Sequence, residues 1–383
     1  MSVTREDLAI DRELAEICGS IPFLRLVTPV NVAEQRAAFA EGATEPVFEY
    51  RPAPDLRPIA ERLRCVDPER AADPVVRHLA ANKKRELEIR LELIATRGTD
   101  RFFLASVELF GHVEPASLDL AMDLLTVPEA TPSDRVTVSA DEFAAAANRE
   151  IEEYRAVYPE LSARVIVSDT ASGVMVENGD VYVGTDTRLA LDRVEHLLHH
   201  EVGVHVLTYA NGCAQPLHLL AAGLAGYDEN QEALGVLAEH LSGGLPVSRL
   251  HVLAHRVVAA HLRSEQATFV ETVDRLIELG AGPRSAFTTA MRAYRAGGMT
   301  KDAVYLRGLT RLCEHLATGA GLERLLVGKT TLEDDALIGD LLERGVLSPP
   351  PLRPRFLDTD TSRQRLEELR SGTTVRQIGG LAA

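Results

Sequence analysis

The segment EHLLHHEVGVHVLTY, residues 195–209, carries four histidines and two glutamates among leucines and valines. At its centre His200, Glu201 and His205 form the pattern H-E-x-x-x-H. Imidazole nitrogen is a good zinc ligand, and a glutamate beside the first ligand is placed to deprotonate a zinc-bound water. The pattern therefore indicates a metal site with a base next to it.

The spacing of the two histidines sets a condition on the helix that carries them. In the familiar H-E-x-x-H pattern the histidines share one helical face at i and i+4. Here they are at i and i+5, which on a regular α-helix places them about 140° apart. They can meet at one ion only where the helix widens, as in a π-bulge. Gly203 lies between them and lowers the cost of that distortion, so a bulge is predicted near it.

An ordinary amphipathic helix, with its histidines capping or hydrogen-bonded in the core, is the competing interpretation. His196 and His200 are also at i and i+4, so this pair is a second candidate metal site. His196 and His199 are otherwise interpreted as structural residues or as residues that support the ligands.

The bulk composition is that of an ordinary globular protein. The chain has 383 residues, enough for one large or two medium domains, and 45% of them are hydrophobic. A net charge of −16 without a long basic run argues against nucleic acid or an anionic membrane as the main partner. Four scattered cysteines without a C-x-x-C pair fit a reducing, cytoplasmic location. No signal peptide or membrane-spanning run is expected, and no oligomeric state is indicated.

The predicted fold class is α+β and mostly helical, in two domains. Residues 1–158 are predicted to be a mostly helical N-terminal domain, with Thr4, Asn31 and Ser139 each beginning a helix. Residues 21–27 are expected to be extended, and residues 47–50 are a strand candidate. Residues 159–383 are predicted to hold a zinc-peptidase-like core.

A small sheet is predicted just before the histidine helix. Residues 164–168 are a strand candidate, and two further strands flank Asn178 and Gly179, a pair that fits a type I′ hairpin turn. Thr185 or Asp186 is expected to cap the histidine helix. An edge strand beside a metal-binding helix can hold an extended peptide by main-chain hydrogen bonds.

The next predicted helix contains Gln231, Glu232 and Glu239 and offers candidates for a third metal ligand. In zinc hydrolases a glutamate there often completes the site and leaves the fourth position open for water. Glu232 fits that place, and Glu239, two turns on, could orient a ligand histidine through its free N–H. A carboxylate that merely favours the first turn of a helix is an equal explanation of Glu232.

The segment MRAYRAGGMTKDAVY, residues 291–305, concentrates basic residues and tyrosines in an acidic protein. Such groups can bind a terminal carboxylate or stabilise an oxyanion. A helix-turn-helix with solvated charges, Gly297 and Gly298 ending one helix and Thr300 capping the next, is the alternative. The candidates for substrate or oxyanion binding are Arg292, Arg295, Lys301 and Tyr305.

The tripeptide Gly328, Lys329 and Thr330 resembles the end of a phosphate-binding loop. That loop requires glycine at position 323, where this chain has Glu323, and no obvious strand precedes it. Nucleotide binding is therefore not expected.

Several segments together resemble the bacterial QEGLA-motif family, often described as modulating flavohaemoglobin expression. This family is related to the eukaryotic microtubule-associated tyrosine carboxypeptidases. The matching segments are SVELFG (106–111), HHEVGVHVLTYANGCAQPL (199–217), GLAGYDENQEALGVLAEHLSGGL (223–245) and FTTAMRAYRAGGMTKDAVYLRGL (287–309).

The resemblance implies a zinc metallopeptidase-like fold with Zn²⁺ as cofactor. Carried over by position, His200 and His205 would be ligands, Glu232 the third ligand and Glu201 the general base. A peptide or protein C-terminus would be the substrate. The eukaryotic relatives remove a C-terminal tyrosine from tubulin, but nothing in this sequence points to tubulin.

Two short elements depart from the family pattern. Q-E-G-L-A is here Q-E-A-L-G, with Ala233 and Gly235 in exchanged places, and a glycine triplet is here Ala296, Gly297 and Gly298. Both changes are small and are expected to affect local packing more than metal binding.

The sequence thus favours a zinc-dependent hydrolase, with a carboxypeptidase as the sharper hypothesis. The alternative is a non-catalytic regulatory or scaffold protein with a structural zinc site. Such a site would be closed by a fourth protein ligand such as His196 or His240.

Overall fold

The computed structural model describes residues 3–129, 136–169, 171 and 173–382. Seven helices precede the first strand in this part of the chain. They are α1 (Arg5–Gly19), α2 (Phe23–Val27), α3 (Val32–Ala40), α4 (Arg57–Cys65), α5 (Pro74–Ala95), α6 (Asp100–Phe110) and α7 (Pro115–Leu124).

The strands and one long helix occupy the middle of the chain. They are β1 (Thr137–Ser139), α8 (Ala140–Val157), β2 (Val165–Ser168), β3 (Val174–Glu177), β4 (Asp180–Gly184) and β5 (Arg188–Ala190).

The rest of the chain is helical. Its first unit is one continuous helix made of α9 (Leu191–His200), a π-helical segment (Glu201–Val206) and α10 (Leu207–Cys213). The others are α11 (Leu219–Ala222), α12 (Tyr227–Leu241), α13 (Val247–Ser264), α14 (Phe269–Glu278), α15 (Pro283–Tyr294), α16 (Val304–Ala317), α17 (Asp335–Glu343), α18 (Asp360–Arg370) and α19 (Val375–Ile378). The mostly helical α+β class is confirmed.

The predicted hairpin before the histidine helix is present. Strands β3 and β4 are antiparallel with Glu177 opposite Asp180, and Asn178 and Gly179 between them have φ values of 51° and 82°. Two positive φ values are the signature of the predicted type I′ turn. Strand β2 pairs parallel to β4, so the order is β2-β4-β3 and β3 is an edge strand.

Three local predictions are wrong. Residues 23–27 form helix α2, whose Phe23, Leu26 and Val27 are buried, where extended chain was expected. Residues 47–50 are not a strand, although Asn31 binds the backbone of Val47 and Glu49 with its side chain. The histidine helix begins at Leu191, beyond Thr185 and Asp186, because β5 intervenes and pairs with β1.

Two main groups of buried side chains support the histidine helix. One is built from α8, the strands and residues of the helix itself, including Val202, Val206 and Leu207. The larger group runs from Leu14 to Val375 and includes residues on α1, α5, α12, α13 and α16. The predicted boundary at residue 158 stays a prediction. Within the described ranges, none of the helices combines the length and apolar character that a bilayer crossing requires.

The C-terminal third of the chain fastens the histidine helix in place. The buried Asn211 on α10 donates to the carbonyl oxygens of Leu326 (2.7 Å) and Leu352 (2.9 Å) and accepts from the Leu352 N–H (3.0 Å). Gly203 packs against Phe356, where an added Cβ would lie 3.2 Å from the ring. The helix is therefore held in place by residues far along the chain.

We expect Asn211→Ala to lower the free energy of unfolding by about 2–4 kcal/mol, because it leaves buried backbone groups without partners. Urea denaturation measures this loss. The matched control, Asn82→Ala at an exposed position, should change stability by about 0.5 kcal/mol or less. Equal losses in the two variants would show that the Asn211 hydrogen bonds do not fasten the helix.

Candidate metal centre

The π-helical segment brings two histidines onto one face. His200 is the last residue of α9 and His205 lies in the π-helical segment Glu201–Val206. A π-helix repeats its hydrogen bonds at i and i+5, so residues five apart stack along the axis. The two imidazole centroids are 5.0 Å apart. The predicted widening near Gly203 is confirmed.

Glu232 on α12 faces both histidines. Its Oε2 atom lies 4.0 Å from Nε2 of His200 and 4.0 Å from Nε2 of His205. One candidate ligand atom from each of the three residues lies within 4.8 Å of the others. Ligands about 2.0–2.2 Å from a tetrahedral zinc ion lie roughly 3.4 Å apart, so small side-chain movements would complete such a site.

No other histidine joins this group in the part of the chain that the structure describes. His196 instead bonds Ser242 Oγ through Nδ1 at 2.9 Å, and His199 packs against Phe356. His240 is half-buried, and partial burial, aided by the charge of Arg365, lowers its pKa to about 4. The competing pair His196 and His200 therefore finds no third ligand among the described residues.

Two of the three side chains are partly accessible to solvent. The His200 side chain is 5% exposed, whereas those of His205 and Glu232 are 16% and 18% exposed. A catalytic zinc site needs such access for water, whereas a closed structural site does not.

Glu239 contacts His200, at the place that its position on α12 predicted. Its Oε1 atom lies 2.9 Å from Nδ1 of His200, and Arg193 and Arg249 bind the same carboxylate. Burial alone would raise the pKa of Glu239, but Arg249, His200 and Arg193 outweigh it and lower that pKa. A charged carboxylate on Nδ1 leaves Nε2 of His200 free to face Glu232.

Gln231 contacts Nδ1 of His205, as Glu239 contacts Nδ1 of His200. This contact was not predicted from the sequence. Its Oε1 atom lies 3.4 Å from Nδ1 of His205 and accepts a hydrogen bond from the Thr208 hydroxyl at 2.7 Å. Burial, followed by the neighbouring His200, lowers the pKa of His205 to about 4. A neutral imidazole with Nδ1 on an amide oxygen presents the lone pair of Nε2 to a metal. The position of Gln231 directly before Glu232 in the sequence could have indicated its contact with a ligand histidine.

Glu201 is buried at the start of the π-helical segment. Burial raises the pKa of its carboxyl to about 7, with His200 opposing the rise and Glu232 adding to it. A carboxyl group with such a pKa can both take up and release a proton near neutral pH.

Two of the four candidates for substrate binding, Lys301 and Tyr305, lie beside Glu232. Lys301 Nζ is 2.8 Å from Asp228 Oδ1 and 3.5 Å from Glu232 Oε1, and the lysine is buried. Burial would raise the pKa of Glu232, but Lys301 and the two histidines lower it, as does a hydrogen bond from Tyr305. Lys301 thus fixes the charge and position of Glu232.

The two arginine candidates surround a different carboxylate. Arg292 binds Asp302 through Nε and through Nη2, the second at 2.7 Å. Arg295 is buried, and burial together with the neighbouring Arg292 lowers its pKa to about 10. Thr300 occupies the expected N-cap position, but its side chain makes no capping hydrogen bond, since its N–H and hydroxyl bond Ser106 on α6. Glycines do end the preceding helix, with φ values of 112° and 120° at Gly297 and Gly298.

Gly235 lets α12 approach the His200 ring. An added Cβ at this position would lie 2.5 Å from both Cε1 and Nε2 of His200. Gly235 is one of the two residues exchanged in the Q-E-A-L-G element, and it contacts the candidate ligand His200 directly. The change therefore bears on the metal site more directly than the sequence indicated.

Comparison with protein families gives one result that covers most of the chain. A family model described as microtubule-associated tyrosine carboxypeptidase matches residues 36–373. No curated protein and no solved structure matches the chain.

We expect Gly235→Ala to weaken zinc binding by about tenfold or more, because the new methyl group displaces the His200 ring. Titration of the metal-free protein against a competing chelator measures the affinity. Gly19→Ala is the matched control, since an added Cβ there meets nothing within 4 Å. Unchanged affinity in Gly235→Ala would remove His200 from the ligand set.

Proposed function

Because the chain belongs to the microtubule-associated tyrosine carboxypeptidase family, we propose that it is a zinc-dependent carboxypeptidase. The observation that carries the proposal is the convergence of His200, His205 and Glu232 with Glu201 beside them. The family supports hydrolysis at a protein C-terminus, and the donor set supports the metal.

The three side chains fit zinc as a ligand set. Two imidazole nitrogens and one carboxylate oxygen are the donors that catalytic zinc sites use. Both imidazoles are held by acceptors at Nδ1, which fixes their orientation. When bound, the ion would supply Lewis-acid polarisation of water and of the scissile carbonyl.

Side chains of the protein would then transfer the proton of the attacking water and stabilise the charge that develops on the substrate. The Glu201 carboxylate accepts a proton from the attacking water and passes it to the leaving amine. Tyr305, which helps to lower the pKa of Glu232, is the best placed of the four substrate candidates to donate to a developing oxyanion. Lys301 keeps Glu232 charged, which suits a ligand role for that carboxylate.

The edge strand β3 supports a peptide substrate. It is one of the two outer strands of the three-stranded sheet and contacts the π-helical segment that carries Glu201 and His205. An extended peptide can add to such an edge through main-chain hydrogen bonds. Its C-terminal residue would then project past the metal ligands.

We expect Glu232→Ala to lose most of its bound zinc, while the wild-type protein holds about one ion per chain. Metal analysis after dialysis against a weak chelator measures this. Zinc retained in full by Glu232→Ala would contradict the ligand assignment.

We expect Glu201→Gln to keep its zinc and to lose about 10²- to 10⁴-fold in turnover of C-terminal peptides, because it cannot accept the proton. Glu195→Gln, at an exposed position on α9, is the matched control and should retain full activity. Full turnover by Glu201→Gln would overturn its role as base.

A further inference from the structure

A chain of ion pairs connects helix α5 to the candidate ligand Glu232. Cations and carboxylates alternate along it, in the order Lys83, Glu86, Arg90, Asp228, Lys301 and Glu232. The distances between successive charged atoms run from 2.7 Å, at Lys83 and Glu86, to 3.5 Å, at Lys301 and Glu232. The three positive and three negative formal charges cancel. A metal ligand is therefore one end of a balanced network whose other end lies on an N-terminal helix.

Burial makes each charge of this network depend on its neighbours. The side chains of Lys83 and Glu86 are 0% and 3% exposed, and that of Asp228 is 15% exposed. A buried charge that loses its partner is costly, so its remaining neighbours move to replace that partner. Burial would raise the pKa of Asp228, but Lys301 and Arg90 lower it to about 2. Asp228 is therefore charged at neutral pH.

Helix α5 fixes the first turn of α12, the helix that carries Glu232. Oε2 of Glu86 accepts a hydrogen bond of 2.8 Å from the N–H of Gly226, which directly precedes α12. Nη2 of Arg90 lies 3.1 Å from Oδ2 of Asp228, in the first turn of α12. Asp228 and Glu232 are four residues apart and share one face of the helix. The N-terminal part of the chain thus holds Asp228 in place beside the ligand.

Lys301 is shared unequally between two carboxylates of α12. Its Nζ atom is 2.8 Å from Oδ1 of Asp228 but 3.5 Å from Oε1 of Glu232. The other oxygen of Glu232, Oε2, faces the Nε2 atoms of His200 and His205. A lysine that moved fully onto Glu232 would compete with a metal ion for the same carboxylate, because like charges repel at short range.

We propose that Asp228 is a positioning residue of the metal centre. It holds the ammonium group of Lys301 away from Glu232, so that one oxygen of Glu232 stays available to the ion, and Arg90 on α5 holds Asp228 in turn. The N-terminal helices thereby contribute to metal binding without supplying a ligand. The proposal rests on the zinc site of the function proposed above and adds a determinant of its affinity.

The test measures zinc affinity by titrating metal-free protein against a competing chelator. We expect Asp228→Asn to weaken zinc binding by about 10- to 100-fold, because Lys301 moves onto Glu232. Adding Lys301→Met removes the competing cation and restores the charge balance of the network. The double variant should therefore recover most of the lost affinity. A merely structural Asp228 would instead give a double variant that binds zinc no better than Asp228→Asn.

Two further measurements separate positioning from stability. Asp73→Asn is the matched control, since Asp73 is a buried aspartate that caps α5 and pairs with Arg344. It should lower the melting temperature and leave zinc affinity unchanged. The visible absorption of Co²⁺-loaded protein reports the ligand set. This spectrum should change in Asp228→Asn and return to that of the wild-type protein in the double variant.

If Asp228→Asn alone does not fold, Lys301→Met and the double variant supply the test. Asp228 acts through Lys301, so its replacement in the Lys301→Met background should leave zinc affinity about the same. A large loss there would overturn the proposal, as would wild-type affinity in Asp228→Asn or no recovery in the double variant.

The wild-type titration separates this proposal from the proposed function. Absence of zinc binding by the wild-type protein would reject the zinc site and the positioning role together. Tight binding by the wild-type protein with equal affinity in Asp228→Asn would reject the positioning role alone.

Discussion

The widened turn of the histidine helix is the constraint on which the site depends. Five residues separate His200 from His205, and only the π-helical segment lets both rings face α12. A π-turn is a less favourable arrangement than an α-turn, so packing must hold it. Val202, Val204 and Val206 are buried on both sides of Gly203, and Phe356 covers the glycine itself. The distortion that aligns the ligands is thus stabilised by the core.

Positively charged residues on separate helices form ion pairs with the carboxylates of the metal centre. Glu239 is balanced by Arg193 and Arg249, and Glu232 by Lys301, which also binds Asp228. Each carboxylate therefore has a cation and a histidine as neighbours. This arrangement keeps both carboxylates charged, as a metal ligand and its supporting acceptor must be.

The sequence predicted the features that follow from the spacing of residues along one helix or turn. The spacing from His200 to His205 required a bulge, and the pair Asn178 and Gly179 required a type I′ turn; both are local consequences of backbone geometry. The contact of Glu239 with His200 followed from the two-turn offset between Glu232 and Glu239.

What the sequence did not predict depends on partners far along the chain. Arg249 has no motif around it, and only the packing of α13 against its neighbours places it at Glu239. Strand β5 was missed because it is three residues long and pairs with β1, some fifty residues earlier. Gly235 appeared to be a neutral exchange until the position of the His200 ring was known.

The hydrogen bonds between Asn211 and Leu352 also bear on how the protein is made. They join residues 141 positions apart, and at about 5–20 residues per second this interval takes a ribosome roughly 7–30 s. Throughout that time the nascent chain already carries both histidines, and for most of it Glu232 as well, while the segment that fastens their helix has yet to be synthesised. The metal-binding side chains therefore emerge well before the scaffold that makes them rigid, so the order of translation separates the availability of the ligands from the completion of the centre.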